Sequence, residues 1–424
     1  MQRPPLLKLA MTKTGQTTQT YDISSTSNRL LGVTHIEQEY SQIANVAVIS
    51  DATLAALALE GYTATISYGY NDGTQGDEYS AAAPLEVVAQ ASTTNLTGKQ
   101  VQLITYFTCA GVFDLISAEK AQAKYSQEDD DTKTVKTLLT NVAEATLAPF
   151  TNCKVYTITF DSEDSLIDTY IPADYFYVAV GESRLSAFTK LLKRTKCRAR
   201  IEANGAIHVF NPTVSGTTYD YEYNDAVTNH NFFEKGVRKR LVLPNYIVVQ
   251  SHPSHATQYS GFATDADSYA ALGRYIRSEP YYIRATSNAQ CTSIAEAIIQ
   301  NKQVESERGH GFAPMNCGQE VIDYINITDS IAADTRTGNI GYILRQYTPG
   351  RKFSMEFRFG KLAGELPFMS MVDPATGGIT AEALMALEQA MQDRLEAAVE
   401  MLLSIDTVPK WHVTKELRIP EAYS

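Results

Sequence analysis

The chain has 424 residues, of which 36 are Lys or Arg and 48 are Asp or Glu, so its formal net charge at neutral pH is −12. At roughly 100 to 200 residues per domain, this length allows two to four domains with ample buried core. The acidic balance argues against a general binder of nucleic acid or of anionic membranes, because such proteins carry a net positive field.

Tyrosine is frequent, with 25 Tyr against a single Trp, which favours β structure and large polar-aromatic contact surfaces. The five cysteines include no CxxC pair, so a reduced protein without a disulfide framework is predicted. Residues 1–10 lack the apolar core of a secretory signal. The most apolar stretch, residues 44–59, is broken by Asp51 and falls short of the roughly 18 apolar residues of a membrane helix, so no membrane span is predicted.

Residues 1–120 alternate short apolar runs with turn residues, which predicts a first antiparallel β-barrel domain. The strand predicted at residues 62–70 has one apolar face at a period of two and runs into Asn71-Asp72-Gly73, a hairpin signal. The other strands predicted in this region are residues 46–49, 85–91 and 100–111.

Residues 121–215 alternate helix and strand patterns, which predicts an inserted α/β module. A strand is predicted at residues 154–160 and a helix at 182–195, followed by a hairpin about Asn204-Gly205. An earlier helix has an amphipathic stripe that ends before Pro149. The stripe consists of Val135, Leu138, Leu139, Val142 and Ala143.

Residues 216–363 return to β character and are predicted to form a second β-barrel domain with a helical insertion at residues 293–304. In the strand predicted at residues 352–359, every second side chain is Phe or Met, so one face is predicted to enter the core. The other strands predicted here are residues 242–250, 321–328 and 341–347. The predicted fold class is therefore mainly β, with an inserted α/β module.

Residues 364–424 are predicted to form a linker, a long acidic helix over residues 380–404 and a polar arm. The helix could form a three-stranded bundle on a symmetry axis, or it could pack against another protein. Residues 382–400 contain five acidic residues and only one Arg. The acidic residues would repel one another in a tight bundle, which favours packing against a partner. The apolar residues proposed for either contact are Leu384, Met391, Leu395 and Leu402.

Motifs for catalysis are absent from the sequence. It contains no G-x-S-x-G nucleophile elbow, no P-loop and no Rossmann glycine triplet after a strand. His252 and His255 have Pro253 between them, where the helix of a zinc site would have to run. We therefore predict a protein that is not an enzyme and has no catalytic, cofactor-binding or metal-binding residue.

Two clusters of basic residues are candidate interaction sites. They could contact nucleic acid, or they could contact acidic faces of neighbouring subunits and fix the register of the assembly. The second interpretation is favoured, because no aromatic platform for single-stranded nucleic acid accompanies the clusters. The first cluster consists of Lys190, Lys193, Arg194, Lys196, Arg198 and Arg200, and the second of Lys235, Arg238, Lys239 and Arg240.

Three passages, together with the order of the parts, resemble the hub proteins of bacteriophage tail tips and baseplates. The first is VISDATLAALALEGYTATISYGYNDG, residues 48–73, a strand and an apolar run that feed a hairpin. The second is ESRLSAFTKLLKRTKCRARIEANGAIHVF, residues 182–210, which is similar to the inserted module of such hubs. The third combines PMNCGQEVIDYINITDS with GNIGYILRQYTPGRKFSMEFRFG, within residues 314–360, and resembles the closing strands of the family.

The resemblance implies a structural virion protein of the phage tail, assembled in the host cytoplasm. It implies a homotrimer whose six barrels form a pseudo-sixfold ring, which joins the hexameric tail tube to the trimeric tip and lets DNA pass. The implied partners are tail tube or distal tail proteins, tail tip or fibre proteins and the tape measure protein, without specific nucleic-acid binding. The alternative is a tail-tip glycan hydrolase, which would need a cleft with a carboxyl of raised pKa. A tail-tube subunit is disfavoured, because such proteins are about one barrel long.

Overall fold

The computed structural model describes residues 4–360, apart from residues 27, 51–57, 72, 74–75, 98–99, 128–130, 174, 227–231, 233, 238–240 and 307–308. The chain divides into two compact units, Met1–Leu362 and Ala363–Ser424, and all the described residues belong to the first. The predicted linker, acidic helix and arm of residues 364–424 therefore lie outside the described residues. Outside them also lie the candidate residues Leu384, Met391, Leu395, Leu402, Arg238, Lys239 and Arg240.

The described residues form 22 strands and six α-helices. The strands are β1 (Pro5–Thr12), β2 (Gln19–Asp22), β3 (Leu30–Gln38), β4 (Ser41–Ser50), β5 (Thr63–Asn71), β6 (Asp77–Ala81), β7 (Leu85–Thr97), β8 (Gln100–Gly111), β9 (Tyr125–Ser126), β10 (Ile158–Asp161), β11 (Tyr177–Val178), β12 (Arg198–Ile201), β13 (Ile207–Phe210), β14 (Tyr221–Asn224), β15 (Glu234–Val237), β16 (Tyr246–Ser251), β17 (Ser260–Thr264), β18 (Tyr281–Ile283), β19 (Gly309–Pro314), β20 (Tyr324–Asp329), β21 (Asp334–Thr348) and β22 (Lys352–Phe359). The helices are α1 (Val112–Ala118), α2 (Val135–Ala143), α3 (Leu166–Thr169), α4 (Arg184–Leu192), α5 (Ala266–Leu272) and α6 (Asn288–Val304).

Fourteen of these strands form one large mixed sheet. Its main path runs β15-β19-β22-β21-β3-β4-β8-β7-β5-β1-β2, while β14, β20 and β6 pair beside it. Strands from the two ends of the described chain meet where β3 pairs antiparallel with β21, with Val33 opposite Tyr347. The two strand-rich regions thus share one sheet, and their division into barrels at residues 1–120 and 216–363 stays a prediction.

Alternation of apolar and polar side chains builds the core of the large sheet, as the sequence predicts. In β5, Ala64, Ile66 and Tyr68 are at most 1% exposed, and the side chains between them are half-buried. In β22, Phe357 and Phe359 are buried in the same hydrophobic cluster. Because successive side chains of a strand point to opposite faces, each strand supplies one face to this core. The mainly β character of the fold is confirmed.

A second hydrophobic core is built mainly from two separate stretches of the chain, residues 112–209 and 247–299. Its strands form the sheets β10-β13-β12 and β17-β16-β18. Helices α2, α4 and α6 belong to these stretches and bury their apolar faces in the second core, since a helix must cover its apolar stripe with another element. The module predicted at residues 121–215 therefore shares its core with the helical insertion predicted in the third region.

Two helices of the module, α2 and α4, begin within two residues of where the sequence predicts them, whereas α3 was not predicted. Thr134 caps α2 and Ser183 caps α4, each by accepting a backbone N–H of the first turn. The buried residues of α2 are those of the predicted stripe. Two strands are shorter than predicted: residues 154–160 give only β10, whose partner β13 is four residues long. Residues 242–250 become strand only from β16 onward, because Pro244 has no N–H to donate to a ladder.

The described part of the chain contains no helix that is long and apolar enough to cross a membrane. All five cysteines are described, and each is a free thiol. His252 bonds Ser254 through Nδ1 at 2.7 Å in an exposed turn. Among the described residues, no group of three or more His, Cys, Asp and Glu side chains is arranged to hold a metal ion.

The close contact between β17 and α6 depends on Gly261. A Cβ atom at this position would lie 2.3 Å from the backbone nitrogen of Thr292 and 2.7 Å from the carbonyl carbon of Cys291. We expect Gly261→Ala to lower the free energy of unfolding by about 1–3 kcal/mol, because strand and helix must separate. Chemical denaturation measures this loss.

Ser260 is the matched control, because it is exposed on the same strand. We expect Ser260→Ala to change the free energy of unfolding by less than about 0.5 kcal/mol. Equal stability of the two variants would contradict the close packing of β17 on α6.

Candidate functional site

Two arginines of the first basic cluster lie where the two cores meet. Arg198 and Arg200 belong to β12, and their neighbours Ala199 and Ile201 enter the second core. Because side chains alternate along a strand, both arginines point the other way. There they meet carboxylates next to β3 and β20 of the large sheet. The strand β12 therefore presents two guanidinium groups to the large sheet.

Arg198 joins three segments of the chain. Its Nη1 lies 2.6 Å from a carboxylate oxygen of Glu39, which follows β3. Its Nη2 donates to the Asn301 carbonyl of α6 at 2.9 Å and lies 3.1 Å from the carboxylate of Glu305, which ends that helix. The Arg198 side chain is 8% exposed, so it depends on these partners for the hydrogen bonds that water would otherwise supply.

Arg200 forms the second half of this junction. Its guanidinium contacts the carboxylates of Asp323 and Glu320, each at 2.9 Å, immediately before β20. Its Nε donates to Glu202 at 3.1 Å, within the β12–β13 hairpin. One guanidinium therefore meets three carboxylates, which fixes the hairpin against the large sheet.

Two carboxyl groups at the Arg200 junction, those of Asp323 and Glu320, have raised pKa values. Burial raises the pKa of Asp323 to about 7, although Arg200 and the Glu320 backbone N–H act in the opposite direction. Burial likewise raises the pKa of Glu320, against the opposing effect of Arg200. The Asp323 carboxyl therefore releases its proton at a higher pH than an ordinary Asp does.

A small cavity of about 30 Å³ lies beside the junction. It is lined by Glu37 and Glu320, and by three residues that each have a buried polar atom without a hydrogen-bond partner among the described residues. These atoms are Gln42 Oε1, Gln319 Nε2 and Arg345 Nε. Pockets for organic ligands measure ~300–1,000 Å³, so this cavity cannot hold a sugar ring.

A buried ion pair in the large sheet is a feature that the sequence analysis missed. Arg345 on β21 contacts the carboxylate of Glu37 on β3, and both side chains are at most 5% exposed. The register sets Arg345 opposite His35, and burial lowers the pKa of that imidazole to about 3, so the ring is neutral at pH 7. The sequence contains a sign of this pair, because in each strand a charged residue occupies the alternating positions that are otherwise apolar. These positions are Val33-x-His35-x-Glu37 and Ile343-x-Arg345-x-Tyr347.

The other described bases of the two clusters mostly meet partners within the chain. Lys193 is exposed and forms no ion pair with another described residue. The remaining contacts are Lys190 with Glu182 at 2.7 Å, Lys196 with Glu296 at 2.9 Å, Arg194 over the ring of Tyr175 at 3.8 Å, and Lys235 with Asp334 at 2.6 Å and Asp329 at 3.3 Å. Contact between these clusters and a neighbouring subunit stays a prediction.

A larger cleft of about 510 Å³ opens between α4 and the end of α6. Its two carboxylates, Glu39 and Glu305, both accept hydrogen bonds from Arg198. A glycosidase needs one carboxylic acid that can donate its proton to the glycosidic oxygen. Two carboxylates engaged by one guanidinium do not provide that group.

The Arg198 junction can be tested by removing the guanidinium. We expect Arg198→Ala to lower the free energy of unfolding by about 3–5 kcal/mol, because it leaves the buried carboxylate of Glu39 without a counter-charge. Arg358→Ala is the control: Arg358 is 44% exposed and pairs with Glu356 on the same strand, so about 0–1 kcal/mol is expected. Denaturant titration of both variants measures the difference, and similar losses would contradict the junction.

The raised pKa of Asp323 predicts a pH dependence of stability. The unfolded chain releases this proton near pH ~4 and the folded chain only near pH 7, so the folded state binds more protons between these values. The contribution of this carboxyl to stability is therefore full below about pH 4 and is lost as the pH rises through 7.

We expect Asp323→Asn to reduce the fall in unfolding midpoint between about pH 5 and about pH 8, because the amide does not titrate. Thermal denaturation at the two pH values measures this fall. An unchanged fall would show that Asp323 has an ordinary pKa in the folded protein.

Comparison with solved structures identifies the fold. The chain is similar to a tail protein from Neisseria meningitidis MC58, with a TM-score of 0.55 and 10% identity over 85% of this chain and 97% of that one. It also matches a 43 kDa tail protein of prophage MuSo2 from Shewanella oneidensis, with a TM-score of 0.49 and 9% identity over 84% and 98% of the two chains. A prophage tail protein, gp18 from Listeria monocytogenes EGD-e, matches with a TM-score of 0.48 and 12% identity over 83% and 94%.

No protein-family model matches the sequence, and no curated protein matches it. The identities to the solved structures are low, so the likeness to the Neisseria protein is one of fold. It extends over nearly the whole of that tail protein. The chain therefore shares the fold of this tail protein, in agreement with the resemblance to tail hub proteins found in the sequence.

Proposed function

We propose that this protein is a structural component of a bacteriophage tail, the hub that joins the tail tube to the tail tip. The observation that carries the proposal is the extent of the likeness to the Neisseria tail protein, which covers 97% of that chain and 85% of this one. A likeness of that extent includes the large sheet and the inserted stretches together, so it is not the sharing of one common module.

In this function three copies form a ring, and each copy supplies two barrels to a pseudo-sixfold collar. The large sheet supports this arrangement, because its two strand-rich regions are joined through β3 and β21 and can face a sixfold partner side by side. The partners are tail tube or distal tail proteins on one side, tail tip or fibre proteins on the other, and the tape measure protein. The protein acts in the virion tail and is assembled in the host cytoplasm.

The charge of the chain supports passage of DNA without binding. A net charge of −12 repels phosphates, whereas exposed bases would retain them by releasing counterions. Most described bases of the two predicted clusters are engaged with carboxylates of the same chain, so they are poorly placed to bind a duplex.

A structural function is preferred to a tail-tip glycan hydrolase, because the carboxyl groups of raised pKa do not lie in a cleft that is large enough for a sugar. Burial raises the pKa of Glu320, but this residue lines a cavity of only about 30 Å³. In the larger cleft, the carboxylates of Glu39 and Glu305 hold Arg198.

The mass of the purified full-length protein tests the proposal. We expect light scattering to give about three times the chain mass of 46.7 kDa, and electron-microscopy class averages to show a threefold ring with six similar lobes. If each subunit supplies two barrels, a closed ring of three subunits presents six barrels. A chain that stays monomeric at every concentration and cleaves cell-envelope glycan would support the hydrolase instead.

A further inference from the structure

An aromatic face covers one side of the three-stranded sheet β17-β16-β18. The other side of this sheet packs on α6, and there Ile247 and Val249 of β16 are fully buried. The alternating residue Tyr246 points to the opposite side, where β17 adds Phe262. We call the surface formed by Tyr246, Phe262, Tyr269, Tyr275 and Arg277 the aromatic face.

The members of the aromatic face form a continuous stack centred on Tyr246. The ring of Phe262 is stacked on it with a centroid distance of 5.1 Å, and Tyr275 meets it edge-on at 5.3 Å. Tyr269 stacks on Tyr275 at 4.3 Å, and the guanidinium of Arg277 lies 4.7 Å from the Tyr246 ring centre. Mutual stacking fixes the rotamers of these side chains, so the face is ordered before any partner binds.

This ordered face is open to solvent. Phe262 is 56% exposed, Tyr275 47% and Tyr269 40%. Single exposed apolar residues are normal on protein surfaces, but contiguous exposed aromatic rings mark interaction sites. Interfaces are moreover enriched in Tyr, Phe and Arg, the residue types that make up this face.

The arginines at the aromatic face have no acidic partner among the described residues. Arg274 and Arg277 are exposed, and neither forms an ion pair with another described side chain. Elsewhere in the described chain, Arg184, Arg198 and Arg345 each bond a carboxylate. The aromatic face therefore combines apolar area with positive charge that the surrounding residues leave unpaired, which suits an acidic partner surface.

We propose that the aromatic face is a subunit interface that binds an acidic surface of a second copy of this chain. Charge favours this occupant, because each copy carries 12 more carboxylates than Lys and Arg side chains and therefore has a net charge of −12. Symmetry favours it as well: a threefold ring is closed by contacts between two different surfaces, here one aromatic and basic and one acidic. The inference rests on the proposed function in that it requires self-assembly.

The experiment compares three full-length proteins by light scattering and sedimentation over a range of concentrations. In the first variant, Arg277→Glu is combined with Phe262→Ser, which reverses one charge and removes one ring of the aromatic face. The matched control is Ile331→Ser, because Ile331 is 93% exposed on the turn between β20 and β21, two strands of the large sheet and not of the sheet that carries the aromatic face. Thermal denaturation establishes that both variants keep the wild-type fold.

We expect the double variant to lose assembly, with a dissociation constant at least tenfold above that of the wild type, while the control assembles normally. Higher salt should also weaken wild-type assembly, because the Debye length is only ~10 Å at 0.1 M salt and exposed charges are screened beyond it. If the more conservative Arg277→Gln alone produces a smaller loss in the same direction, the charge contributes separately from the ring.

A wild-type protein and a double variant that assemble equally well would overturn the inference and leave the proposed ring intact. A wild-type protein that is monomeric under every condition would overturn the ring and the interface together. Assembly into a number of copies other than three that the double variant abolishes would support the interface and contradict the trimer.

Discussion

The pairing of β3 with β21 is the contact on which the remaining architecture depends. The ion pair that it buries, between Arg345 and Glu37, spans 308 residues of sequence. The entropy of closing a loop grows only with the logarithm of its length, so a long ladder with buried neighbours can offset it. Between β3 and β21, the chain leaves the large sheet after β8 and returns to it in β14, β15, β19 and β20. The stretches that do so lie beside each other and share the second core.

Charge at the junction of the two cores determines geometry more than it adds stability. A buried ion pair recovers little more than the cost of removing its charges from water, but a missing partner leaves a charge that nothing compensates. The placement of Arg198 and Arg200 on alternate positions of β12 therefore favours one orientation of the hairpin against the large sheet. Lys190 and Lys196 also form ion pairs within the chain, so four of the six bases of the first cluster are paired. The surplus of acidic residues therefore determines the field outside the protein.

Local elements were the part of the fold that the sequence predicted well. The stripe of α2, the alternation in β5 and β22 and the turn at Gly205, whose φ is +82°, all depend on residues close together in the chain. The late start of β16 has a local cause, Pro244, but the other differences arise where a distant segment decides the outcome. β10 is short because its partner is short, and the pairing of His35 with Arg345 needs a register that neither strand contains alone.

The sequence by itself determined the mainly β class, the positions of the most strongly patterned strands and helices, and the resemblance to tail hub proteins, because period, turn residues and caps act over a few residues. Only the tertiary structure decided that two strand-rich regions form one sheet and that two stretches share a second core. It also decided that Arg198 and Arg200 meet carboxylates of their own chain. The sequence shows which residues are charged and therefore need partners when they are buried. It does not show which partner each one meets, because that depends on the distance between segments in the folded chain.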